Sequence, residues 1–168
     1  LTTTGAIAYL PKPFTAYELI AIVRSSLRCS RLLVEAESAG LPRSGAMSYV
    51  PCPAGYHKLG YVSWALMEDE GTARVGVSDL FLKSIENIKA FDLSLQGEEL
   101  LQGIPCGEAI TLDELKHEIM CPLSGQILEV NENALTDPSL VEKDPYFRGW
   151  LYRILPTSPK VDLQWLSH

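Results

Sequence analysis

From residue 56 onward the chain is cut into short apolar runs separated by turn signals, and that rhythm limits the fold more than any other feature. Tyr61 to Met67 is followed by the acidic turn Glu68-Asp69-Glu70-Gly71. Ala73, Val75 and Val77 then alternate along one face, as in a half-buried strand. Ala90 to Leu95 is closed by Gln96-Gly97, and Gly97 and Gly103 bracket the next short stretch. Ile119 to Cys121, Gln126 to Val130 and Trp150 to Leu155 complete the strands. One short helix interrupts them from Asp79 to Ile88, with Ser78 as its N-cap and Phe81, Leu82, Ile85 and Ile88 on one apolar face. Many short strands with Gly-bearing turns predict a mostly β fold, a small antiparallel barrel or sandwich.

A different pattern precedes this body. Residues 14–38 read as one long helix. Thr15 and Glu18 have the spacing of a capping box, and Phe14 and Leu19 sit where a hydrophobic staple would form. Ala16, Ile20, Val23, Leu27 and Val34 recur at helical steps as an apolar stripe, with Arg24, Arg28 and Arg31 largely off it. An isolated amphipathic helix is marginal in water, so the stripe should pack on the body or pair with a second copy through Ile20, Val23 and Leu27. Residues 39–55 hold Gly40, Pro42, Gly45, Pro51, Pro53 and Gly55, the punctuation of a linker. The chain thus divides into 1–38, a linker at 39–55, and a body at 56–168.

Charge and cysteine usage narrow the function. The net charge of −7 over 168 residues is split unevenly, with about +2 on residues 1–43 and −9 on residues 44–168. An acidic body is a poor binder of phosphate backbones, which argues against nucleic acid. No apolar run approaches the roughly 18 residues of a membrane helix, and the start lacks the basic-then-apolar layout of a secretory signal. Cys29, Cys52, Cys106 and Cys121 show neither paired spacing nor histidine partners suited to zinc, so no metal is expected. Free thiols in a reducing, cytoplasmic setting are the simplest reading. No nucleophile–base constellation stands out, and the chain does not read as an enzyme.

Two strings carry a resemblance. One is Cys121-Pro122-Leu123-Ser124-Gly125, running on through Gln126 to Glu132. The other is Leu135-Thr136-Asp137-Pro138-Ser139-Leu140, continuing to Asp144-Pro145-Tyr146 and Gly149-Trp150-Leu151. With Val75 to Asp79, Gly97, Gly103 and Trp64, they resemble the glycine cleavage H-protein family over residues 56–156. The resemblance implies a biotinyl/lipoyl-like hybrid barrel with short helices, whose function rests on one lysine at an exposed hairpin tip that carries lipoate. Counting back from Pro122 places that lysine on Glu114, and counting forward from Gly103 and Cys106 places it on Asp113. A carboxylate cannot form the lipoyl amide. The expectation is therefore a non-catalytic protein-interaction module without a cofactor. The alternative is a lipoate carrier modified at Lys116, which stands alone between Lys89 and Lys143.

The first 36 residues show a second resemblance. Gly5-Ala6, Tyr9-Leu10 and Lys12-Pro13-Phe14, with the helix that follows, are similar to the end of a response-regulator receiver domain. The resemblance implies a phosphate-contacting role for Lys12 in a longer bacterial signalling parent that supplies the acceptor Asp.

Overall fold

A computed structural model describes Leu10, residues 12–38 and residues 49–167. It opens with α1 (Ala16–Ser38). The strands that follow are β1 (His57–Leu59), β2 (Ser63–Met67) and β3 (Ala73–Val77), then β4 (Ile88–Leu93) after the short helix α2 (Asp79–Ile85). Next come β5 (Glu99–Leu100), β6 (Pro105–Thr111), β7 (Lys116–Met120) and β8 (Gly125–Val130). The short helices α3 (Glu132–Thr136) and α4 (Pro138–Lys143) lead into β9 (Tyr152–Pro156), and α5 (Pro159–Asp162) closes the order before a single 3-10 turn. The strand end and linker expected at residues 1–9 and 39–48 lie outside the described residues.

Among the described residues these strands form two antiparallel sheets. One has six strands in the order β1-β2-β3-β9-β8-β5, the other three in the order β4-β6-β7. They curl around one core but do not close on each other, so the expected barrel is a half-barrel of two facing sheets. Val75, Val77, Ile127 and Ile154 from the first sheet meet Phe91, Ala109 and Ile119 from the second. Each such side chain removed from water contributes about 1.5–3 kcal/mol before entropy is counted. Two polar links join the sheets as well. The Tyr152 hydroxyl donates to the Cys106 carbonyl and accepts the Ser94 N–H, and the Ser63 hydroxyl donates to the Met120 carbonyl at 2.6 Å.

Local chemistry explains the element ends. Ser78 caps α2 by accepting the Phe81 N–H at 3.1 Å. Thr15 and Glu18 form the reciprocal capping box at the start of α1. Asp137 caps α4, with Pro138 at its first turn. Trp64 is a fully buried indole whose N–H donates to the Val77 carbonyl at 2.9 Å, whereas Trp150 is half-buried under the Arg153 guanidinium. Gly125 is needed for close approach rather than for a positive φ. A Cβ there would sit 2.4 Å from the Leu155 carbonyl oxygen on the neighbouring strand.

The apolar stripe of α1 does not pack on the body, the first of its two expected fates. Ala21, Ser25, Cys29 and Leu32 face the body, while Ile20, Val23 and Leu27 remain 42%, 46% and 67% exposed. The buried face is the small one because α1 lies close against α2 and β7, and bulky side chains would hold it away.

Gly125→Ala is expected to cost about 1–3 kcal/mol, since backbone cannot yield as a side chain would; a lowered urea midpoint with an unchanged slope checks this.

Candidate functional site

The hairpin of β6 and β7 projects from the three-stranded sheet, and its turn is built by Thr111. The Thr111 N–H donates to the Leu115 carbonyl at 3.0 Å, and the Glu114 N–H donates back to the Thr111 carbonyl at 2.9 Å. The Thr111 hydroxyl lies 2.5 Å from Asp113 Oδ1. This closure places Glu114 at φ 62°, a left-handed conformation, and makes Leu112, Asp113 and Glu114 the apex. A neighbouring loop buttresses it: the Leu112 N–H donates to the Asn87 carbonyl at 2.9 Å. Asn87 and Glu86 also have positive φ, at 51° and 53°. Such residues cost on the order of 1 kcal/mol each, and backbone strain of this kind concentrates at functional sites.

Four charged groups surround the apex. Arg24 of α1 reaches Asp113 at 2.9 Å. The Thr111 hydroxyl, with Arg24 adding to it, holds the Asp113 carboxyl below its ordinary range. Lys89 of β4 pairs with Glu114. Lys116 opens β7, pairs with Ile110 across the ladder, and holds its Nζ 2.6 Å from Glu108 Oε2. It is 58% exposed, and Glu108 raises its pKa above that of a free lysine. Behind it, Asp92, Glu108 and Glu118 stand in register across β4, β6 and β7, an acidic row on the outward face. Burial and the Glu108 charge both push the Glu118 carboxyl up.

The opposite face of the hairpin is covered. His117 is only 7% exposed. Burial lowers its pKa to about 4, with Arg28 adding to the effect and Asp113 opposing it. Lower down, Cys106 and Cys121 adjoin each other in the core. The Cys106 thiol donates to the Ile119 carbonyl at 3.3 Å and the Cys121 thiol to the Leu123 carbonyl at 3.0 Å, and the neighbouring Cys121 thiol together with burial raises the Cys106 thiol well above its ordinary range.

The sequence-derived residues therefore fall as follows. Asp113 and Glu114 both lie at the apex, and Lys116 lies two residues past Glu114 on the same hairpin. Lys12 is exposed ahead of α1. Lys89, which sequence reading did not single out, reaches the apex because Ile88 pairs with Thr111. Nothing local to residue 89 signals this.

The comparisons with known proteins agree with one another. The glycine cleavage H-protein family profile matches residues 56–168. The chain belongs to this family. It is 37% identical over 99 residues to a probable glycine cleavage system H protein of Aeropyrum pernix, covering 57% of this chain and 66% of that one. With the H protein of Thermobifida fusca it shares 32% identity over 114 residues, covering 68% and 87% of the two chains. The crystal structure of a glycine cleavage system H protein from Mycobacterium marinum superposes with a TM-score of 0.58 at 31% identity, covering 62% of this chain and 86% of that one.

Family membership corrects two expectations. Glycine cleavage H proteins are lipoyl carriers, so the reading as an interaction module with its lipoyl lysine replaced is overturned, and so is the expected lack of a cofactor. What the apex residues show is narrower. Asp113 and Glu114 offer no amine, so the apex itself does not suit a lipoyl amide. Lys116, two residues on at the start of β7, holds an exposed amine.

Below pH 6.5 the unfolded chain takes a proton on His117, whereas the folded chain resists it until about pH 4. Stability is therefore expected to fall as pH falls through that window, by up to about 3 kcal/mol. Urea midpoints for the wild type and His117→Asn check this, the variant giving the flatter pH profile.

Proposed function

We propose that this chain is a lipoyl carrier of the glycine cleavage type, with Lys116 taking lipoate in amide linkage. The observation that carries this reading is the family match over residues 56–168, which spans the hairpin and both sheets. Lys116 supports it by position: it is exposed, it stands on the projecting hairpin, and its stem springs from a strand paired along β6. When bound, the group supplies a redox-active dithiolane on a flexible arm. The protein's own part is to hold the attachment point rigid and accessible. Glu108 orients the Lys116 ammonium, and the register of β6 with β7 fixes which face it occupies.

Carriers act by visiting other proteins, so this reading implies protein partners. The outward row of Asp92, Glu108 and Glu118 favours partners that present basic residues to the hairpin. We further infer that the exposed stripe of α1 supports self-association, because Ile20, Val23 and Leu27 leave a contiguous apolar face in water.

Co-expression with a lipoate ligase, read by intact mass, tests the carrier assignment. The wild type should gain one lipoyl increment and Lys116→Ala should gain none. Glu114→Lys, which restores an amine at the apex, serves as the positive control. A wild type that stays unmodified while Glu114→Lys is lipoylated overturns the assignment. Sedimentation tests the second inference: Leu27→Glu should lower the mass of the wild-type assembly, and a wild type that is monomeric at high concentration refutes it.

A further inference from the structure

Helix α1 precedes the residues that the family profile matches, yet it touches the part of the fold on which a carrier depends. It packs against both α2 and β7. Cys29 and Leu32 meet Leu80 in a small core of their own, bordered by Tyr49 and Tyr61. From the same helix Arg28 reaches Glu86 at 3.1 Å and the Ile85 carbonyl at 3.4 Å, beside the positive-φ pair that buttresses the apex. One turn earlier, Arg24 reaches Asp113 on the apex itself. The contacts run in a line: α1 to the loop at residues 86–87, that loop to Leu112, and α1 again to Asp113.

From this arrangement we propose that α1 is a positioning element for the carrier hairpin, with Arg24 and Arg28 fixing the apex and its supporting loop while the helix shields the face that holds His117. Two observations point the same way. His117 is buried on the covered face, whereas its neighbours Lys116 and Glu118 are exposed on the other. The small residues Ala21 and Ser25 let the helix lie close enough for two arginines to reach across. An enzyme acting on Lys116 then has one open approach, the acidic outward face. This consequence rests on the carrier reading; the positioning itself does not.

Each exposed ion pair is weak alone, so the clamp acts through the helix as a whole. Hydrogen exchange on the full chain tests it. Placing a charge on the buried face with Ala21→Glu should lift α1 and speed exchange of the amides of residues 111–117 by about tenfold or more, while the strands of the six-stranded sheet keep their protection. Arg24→Asp, which sets a second carboxylate against Asp113, should speed the same amides severalfold, and Arg24→Lys, which keeps the cation, should leave them near the wild-type rate. If Ala21→Glu loosens the whole body, this Arg24 pair decides. Unchanged exchange in Arg24→Asp, or equal loosening in Arg24→Lys and Arg24→Asp, overturns the proposal. None of these readouts requires lipoate. A wild type that resists lipoylation but shows this exchange pattern would therefore count against the carrier reading and not against the clamp.

Discussion

The turn at Thr111 to Glu114 governs what this protein presents to others. Its backbone bonds leave no slack: Thr111 is tied to Leu115, Glu114 to Thr111, and Leu112 to Asn87. Once that turn is set, alternation along β7 decides the rest. Lys116 and Glu118 point outward, and His117 and Ile119 point inward. A register slip of one residue would bury the amine and expose the imidazole. The outward position of Lys116 is thus a property of the hairpin as a whole, secured by the two sheets below it through Tyr152 and Ser63.

Charge at the tip follows the same logic. The apex is acidic, yet each carboxylate there is matched by a cation from another element, Asp113 by Arg24 and Glu114 by Lys89. Lys116 is matched in turn by Glu108. These pairs are exposed and individually weak. Their collective effect is geometric: three separate stretches of chain, at residues 24–28, 86–89 and 108–116, are held at one corner of the molecule.

Much of this was legible beforehand, and the remainder was hidden for physical reasons. Caps are local, so Ser78 and the Thr15–Glu18 box could be read directly. Alternation is local too, and Ala73–Val77 emerged with its observed bounds. β6 escaped notice because Pro105, Gly107 and Glu108 dilute its apolar pattern. Gly107 is required there by packing, since a Cβ would sit 2.8 Å from the Asp92 carbonyl oxygen. The role of Lys89 depends on strand pairing between residues more than twenty apart, which no local spacing encodes. The orientation of α1 was also invisible to a hydrophobic stripe alone. The face turned inward carries Ala21, Ser25, Cys29 and Leu32, of which Cys29 and Leu32 pack against Leu80 of α2, and it leaves Ile20, Val23 and Leu27 in water. Motif strings gave the family, but they could not say which amine lies open beside an acidic apex.

The most direct measurement is fragment mass spectrometry of the chain purified from cells supplied with lipoate, localising any lipoamide to a single residue. Modification at Lys116 is the result that a hairpin-borne carrier requires. Lipoamide found at Lys89 instead, or a chain recovered with every lysine free, would contradict it.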